Sequence, residues 1–319
     1  MKKFLKYGLV GLFAAIGVLV YLGWASDIPH TVLAEKYGNG ASDFVELPSG
    51  GVAHYRMQGN DEGKTLVLLH GSNASLHTWG PWVEELEADF LVVTVDLPGH
   101  GLTGPVPGDD YTYQGMTAFL REFTTTIGLK RYILGGNSMG GGVSLHYALT
   151  YPNQLDGLLL LDAAGTKAPE SALRKPELPL AFKLAGHWYS NWILENVTPR
   201  SMVREGLEKG FTDTSLITEE MIDRYWELAL HPGNRYATGL RFASYRDSSG
   251  DLPVENIKLP TLILWGSEDR LIPVEVGHDL KKRIEGSHLV VFPEVGHVPM
   301  EEIPIKSAKA AKEFIASLP

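Results

Sequence analysis

Along the chain, short apolar runs are set apart by clusters of glycine, proline and polar residues. Thr65–Leu69, Leu91–Val95, Arg131–Gly135, Gly157–Asp162, Thr261–Trp265 and His288–Phe292 are dominated by apolar residues and too short for helices, so each predicts a buried strand. Phe44–Leu47 and Gly51–Met57, either side of Pro48-Ser49-Gly50, predict a hairpin. Helical stretches lie between the runs, around Trp82–Leu86 and over Met139–Thr150. Strands without polar alternation, separated by helices, imply an α/β fold: a mostly parallel sheet covered on both faces. Ligands of such sheets bind beyond the carboxyl ends of the strands, so chemistry is expected on the loops that follow them.

The rhythm changes from about Thr166 to Gly250. Phe182, Trp188, Tyr189, Trp192, Phe211, Tyr225, Trp226, Tyr236, Phe242 and Tyr245 recur at helix-like spacings without a clear strand. Residues 166–250 are therefore expected to form a helical cap over the catalytic edge, with most of these aromatics packing rather than touching substrate. Residues 44–165 and 251–319 form the two parts of the core. At the N-terminus, Lys2, Lys3 and Lys6 precede an uncharged run from Tyr7 to Ser26. As a helix that run would be roughly 30 Å long, about the thickness of a bilayer core. The basic residues ahead of it place the N-terminus in the cytoplasm. Residues 1–26 are thus expected to be a transmembrane anchor, with the catalytic domain on the periplasmic side of a bacterial inner membrane. A signal peptide cleaved near Gly23-Trp24-Ala25, leaving a secreted protein, is the alternative.

Composition removes several classes of function. A chain of 319 residues can bury a large core, and 44% hydrophobic with 21% charged residues excludes wholesale disorder. Lys+Arg 28 against Asp+Glu 38 leaves a net charge of −10, without the basic footprint of a nucleic-acid partner. The absence of cysteine removes disulfides, thiolate zinc sites, iron–sulfur clusters and cysteine nucleophiles. None of the 11 histidines belongs to an H-E-x-x-H motif, so no metal is expected. Asn73-Ala74-Ser75 and Asn196-Val197-Thr198 match the glycosylation pattern and are read as chance.

Three strand ends carry matching chemistry. Gly136-Asn137-Ser138-Met139-Gly140 is G-x-S-x-G between a strand and a helix, where a strained turn exposes the Ser138 hydroxyl. A serine hydroxyl needs a base, and an imidazole needs an acceptor to fix its tautomer. Asp269 follows Thr261–Trp265, and His297 follows His288–Phe292, so the order Ser…Asp…His falls on successive loops of one sheet. Glu268 and Asp162 are rival acids, and Asp269 is preferred to both. The backbone N–H groups of Met139 and Ser72 are the expected oxyanion donors. His70, in the loop with Ser72, is expected to order that loop by hydrogen bonding, and Asp96–Gly101 to be a structural turn.

Together, Gly136–Gly140, the His70-Gly71 loop, Asp96–Gly101, Gly266–Asp269 and Gly296–His297 resemble the α/β-hydrolase superfamily from about residue 44 to the C-terminus. The resemblance implies an eight-stranded, mostly parallel sheet with the cap inserted after strand six. It also implies a triad of Ser138, Asp269 and His297, with no metal or organic cofactor. Serine at the nucleophile disfavours dehalogenases and epoxide hydrolases. The expected activity is cleavage of a small carboxylic ester, lipid-like esters included, through an acyl-enzyme on Ser138. The Asn137–Gly141 string also resembles hydrolases that cleave carbon–carbon bonds in ring-fission products. Those usually have tryptophan after the histidine, where this chain has Val298. That activity, and an inactive membrane-tethered binding protein, are the alternatives. Arg224 and Arg241 could meet a substrate carboxylate, but are expected to be solvated or ion-paired at the surface.

Overall fold

The computed structural model describes residues 17–18, 20–170, 172, 188–247 and 251–318. Its strands are β1 Ser42–Glu46, β2 Val52–Gly59, β3 Thr65–Leu69, β4 Leu91–Val95, β5 Tyr132–Asn137, β6 Leu155–Leu161, β7 Thr261–Gly266 and β8 His288–Phe292. Its helices are α1 His30–Tyr37, α2 Gly80–Leu86, α3 Tyr113–Thr126, α4 Met139–Thr150, α5 Trp188–Asn196, α6 Arg200–Gly210, α7 Glu219–Ala229, α8 Asn234–Asp247, α9 Val274–Arg283, α10 Pro299–Glu302 and α11 Pro304–Ser317. The eight strands form one sheet in the order β1-β2-β4-β3-β5-β6-β7-β8. β2 runs antiparallel to β1 and β4, and every other pairing is parallel.

The apolar runs are continuous because both faces of the sheet are dry. Leu66 and Leu68 of β3 feed the core on one face, and Val67 and Leu69 feed the core on the other. β6 divides in the same way, Leu159 and Leu161 against Leu158 and Leu160. Each such leucine contributes about 1.5–3 kcal/mol by leaving water, so this alternation fixes the register of the central strands. Their carboxyl ends are thereby held along one edge.

Helices α5 to α8 lie between β6 and β7. Helix α7 starts where Thr218 accepts the Met221 N–H, with Glu219 and Glu220 favourably placed in its first turn. Leu207, Phe211 and Ile222 form a small core of their own, backed by Val203, Tyr225 and Val298. Phe211 and Phe242 are buried as expected, whereas Trp192 and Tyr236 are about half exposed. Phe182 and the side chains of Trp188 and Tyr189 lie outside the described residues.

The N-terminal expectation is corrected. Among the described residues no helix is long and apolar enough to cross a membrane, so the transmembrane anchor and the membrane-anchored location built on it are not supported. Most of the Tyr7–Ser26 run lies outside the described residues. The described end of that run binds to the protein body. Trp24 bridges Val197, Ala25 N–H donates to Asn196 O at 3.0 Å, and Ile28 N–H donates to Leu230 O at 2.9 Å. Arg235 adds a hydrogen bond to Ala25 O at 2.8 Å and an ion pair with Asp27 at 2.6 Å.

Candidate active site

Ser138 stands between β5 and α4 at φ 52, ψ −117, a conformation that costs a non-glycine residue on the order of 1–3 kcal/mol. Three backbone bonds hold it there: Ser138 N–H to Leu161 O at 3.0 Å, Gly142 N–H to Ser138 O at 3.1 Å, and Ala164 N–H to Ser138 O at 2.9 Å. The flanking glycines are sterically required. A Cβ at Gly136 would lie 2.3 Å from the Gly140 backbone, and one at Gly140 would lie 2.3 Å from Leu69 O. The Asn137 amide fastens the turn to its neighbours, donating to Leu161 O at 3.2 Å and His297 O at 2.9 Å. Nothing in the G-x-S-x-G spacing announces that role for Asn137.

The loop after β7 brings Asp269, not its neighbour Glu268, to the histidine. His297 Nδ1–H donates to Asp269 Oδ2 at 2.7 Å, and both residues are buried. Asp269 Oδ1 accepts Leu271 and Ile272 N–H groups at 2.8 and 2.9 Å. With its proton on Nδ1, the imidazole keeps Nε2 as a base. Ser138 and His297 line the same cavity without a hydrogen bond between their side chains, a contact that often tightens only on the way to the transition state. Asp162, Asp269 and His297 bring one ligand atom each within 4.8 Å of one another, the one group of that kind among the described residues. Within this group His297 Nδ1 and Asp269 Oδ2 are hydrogen-bonded to each other.

His70 orders the loop after β3. Its Nε2 accepts Leu97 N–H at 2.9 Å, which puts the proton on Nδ1 to donate to Gly71 O at 2.8 Å. Gly71 packs so closely that a Cβ would sit 2.9 Å from Asn137 Oδ1 and 3.2 Å from Ser138 Cβ. Among the described residues neither the Ser72 nor the Met139 N–H donates to a protein acceptor, and Met139 opens a helix, where donors are in excess. Asp96 is a buried hub. It accepts from His54 Nδ1 at 2.6 Å and from the Leu76 and Leu102 N–H groups at 2.7 and 2.8 Å. Burial would raise its carboxyl, but His54 and the other nearby histidines outweigh burial and hold it below the usual carboxylate range.

Arg241 departs from expectation: it is 0% exposed. Helix α8 carries it against the core, where Nη1 donates to His100 Nε2 at 2.6 Å and Nη2 to Asn73 Oδ1 at 3.0 Å. His100 can accept because its Nδ1–H is spent on Pro98 O at 2.9 Å, and burial keeps the ring neutral. Burial also lowers the Arg241 guanidinium to about 10, still charged at neutral pH. Asn73 belongs to the loop that presents Ser72, so a cation of the helical segment braces that loop. Sequence reasoning missed this role, and an arginine among polar helical neighbours carries no signal of it. Arg224 is ion-paired as expected, 3.7 Å from Glu301.

The cavity, about 210 Å³, runs from Ser138 and His297 into helices α5 to α8. Leu194, Met202, Leu207, Phe211 and Phe242 give it an apolar wall, with Gly206 and Gly210 on one side. Arg235 also borders it, already paired with Asp27.

Residues 64–304 match the family model described as the alpha/beta hydrolase fold. The chain is 30% identical over 244 residues to 2-hydroxy-6-oxo-2,4-heptadienoate hydrolase of Pseudomonas putida, covering 74% of this chain and 83% of that one. It is 28% identical over 290 residues to Lipase 1 of Psychrobacter immobilis, covering 88% and 86%. Among solved structures it is similar to a membrane phospholipase A described as a bacterial virulence factor, with TM-score 0.73, 25% identity, and 99% and 98% of the two chains covered.

Proposed function

The chain belongs to the α/β hydrolase fold family, and we propose that within it this protein is a serine hydrolase that cleaves carboxylic esters. His297 Nε2 takes the proton of Ser138 as Oγ attacks the ester carbonyl. Ser72 and Met139 N–H groups bind the oxyanion, and His297, steadied by Asp269, returns the proton to the leaving alcohol. Water then repeats the cycle on the acyl-enzyme. Residues 166–250 act as the cap, and its apolar cavity takes the acyl chain, which makes lipid-like esters suitable substrates.

The single observation that carries the ester reading is the lining of the cavity. Its wall is apolar, and the arginine that borders it is committed to Asp27 at 2.6 Å. A neutral ester fits that lining better than a dienoate carboxylate, which would need a cation. Carbon–carbon hydrolysis is the second reading, favoured by the dienoate hydrolase relative and the Asn137–Gly141 string. The test sets p-nitrophenyl esters from acetate to palmitate beside a ring-fission dienoate, with Ser138→Ala run in parallel. Ester turnover that falls at least about a thousandfold in Ser138→Ala supports the proposal. Turnover of the dienoate alone replaces it with the second reading.

A further inference from the structure

Asp162 is a buried acid to which the ester mechanism gives no task. It follows β6 at φ 45 and is 0% exposed. A residue other than glycine stays in that region only where its surroundings hold it. Here the Asp162 N–H donates to Leu264 O at 3.0 Å, and Oδ1 accepts the Gly266 N–H at 2.9 Å. Among the described residues Oδ2 has no donor. Its nearest chemistry is the group with Asp269 and His297, whose ligand atoms lie within 4.8 Å of one another.

Asp269 already receives three hydrogen bonds, from Leu271, Ile272 and His297. Two carboxylates this close and this dry do not both ionise. The one rich in donors keeps the charge, and the one with an orphan oxygen keeps the proton, because a hydrogen on Oδ2 turns an unpaired acceptor into a donor. We propose that Asp162 is a neutral carboxylic acid whose Oδ2–H donates to Asp269, making it a positioning residue for the Asp269–His297 pair. This rests on the reading of those two residues and Ser138 as the triad. Burial first, and then the charge of Asp269, push the Asp162 carboxyl well above its ordinary range. The surrounding groups act in the same direction. From the β7 side Asp162 faces Asp269 and the Gly266 N–H, and from the β8 loop it faces His297. Glu302 of α10 adds a further negative charge, its carboxylate held by the N–H groups of Gly296, Thr212 and Asp213. No salt bridge links Asp162 to a lysine or arginine among the described residues.

The sign of the effect separates a neutral from an ionised Asp162. A neutral donor draws charge away from Asp269 and so leaves the His297 imidazolium less stabilised. Losing that donor makes His297 more basic and moves the acid limb of kcat/KM to higher pH. Losing an ionised Asp162 would remove a negative charge and move the limb to lower pH. The full-length protein is measured as wild type, Asp162→Asn and Asp162→Ala. The asparagine amide keeps a neutral donor and tolerates the positive φ, so its limb is expected within about 0.3 pH of wild type. Alanine is expected to raise the limb by about half a unit or more and to lower kcat with little change in KM. A downward shift in Asp162→Asn overturns the proposal. Infrared difference spectra at pH 7 test the proton without turnover. A protonated-carboxyl band present in wild type and in Ser138→Ala but lost in Asp162→Asn is expected, and no change in that band overturns the proposal. If Ser138→Ala keeps its ester turnover, the triad reading fails, while the infrared result still decides the proton on Asp162.

Discussion

Gly136 and Gly140 flank Ser138, while Gly206 and Gly210 line the cavity that Ser138 borders, and the two pairs, each four residues apart, are glycine for opposite reasons. A Cβ on either member of the first pair would lie 2.3 Å from backbone, whereas one on either member of the second would have nothing within 4 Å. The first pair lets chain segments touch. The second leaves volume unfilled, at the expense of about 1 kcal/mol of helix propensity per glycine inside a helix such as α6. Around Ser138, main-chain geometry is determined by several neighbours at once. Along the cavity, the protein leaves space.

That contrast can be broken in the laboratory. Gly140→Ala forces Leu69 O or the Ser138 turn to move, and is expected to cost about 1–3 kcal/mol of stability and at least about a hundredfold in ester turnover. Thermal unfolding and fluorophosphonate labelling of Ser138 read both, and unchanged melting and labelling would show that the close approach is not required. Arg241→Met removes the brace on Asn73, strands the His100 Nε2 acceptor and leaves Asn73 Oδ1 with only the longer Thr238 hydroxyl contact at 3.5 Å. A loss of roughly tenfold in kcat, and about 1–3 kcal/mol in stability, is expected. A change confined to KM would assign Arg241 to substrate binding instead. Gly206→Leu should fold at least as well as wild type and fill the cavity. Its kcat/KM is expected to fall about tenfold on palmitate and less than about twofold on acetate. An equal loss on both esters would mean that the cavity does not hold the acyl chain.

A further effect is on acid stability. Burial pushes His77 down to about 3 from 6.5, and moves the buried His70 and His100 the same way. Between those two pH values the unfolded chain binds protons that the folded protein does not, so stability falls as pH drops from about 6.5 towards 3. Melting temperatures across that window should decline, and His77→Gln should flatten part of the slope.

Much of the sheet side was legible in the sequence. Strands buried on both faces have to be continuous in apolar residues, and the residues that follow them in chain order have to lie along one edge. Ser138, Asp269 and His297 could therefore be named from their positions after β5, β7 and β8. Strand boundaries moved by a residue or two, as at β5 and β6, where hydrogen-bond registry and not hydrophobicity sets the end. The helical side was less legible. Arg241 looks like any surface arginine until α8 is laid on the loop at Asn73, and Gly206 looks like a helix defect until the space beside it is seen. The apolar run at the N-terminus misled for a related reason. Its composition matches a membrane span, but composition does not record that Trp24 and Ala25 hydrogen-bond to the residues at the end of α5.

The His297 N–H donates to Gly210 O at 2.7 Å, and Glu302 binds Gly296 on one side and Thr212 and Asp213 on the other. A Cβ at Gly296 would lie 2.3 Å from that same Gly210 oxygen. The helical segment is therefore not a detachable module. A chimaera that imports a relative's helices must also import a carbonyl where Gly210 has one and keep the acid at 302, or the graft displaces the histidine loop. Recombination between homologues should succeed most readily when its crossover points keep residues 206–213 together with 294–302.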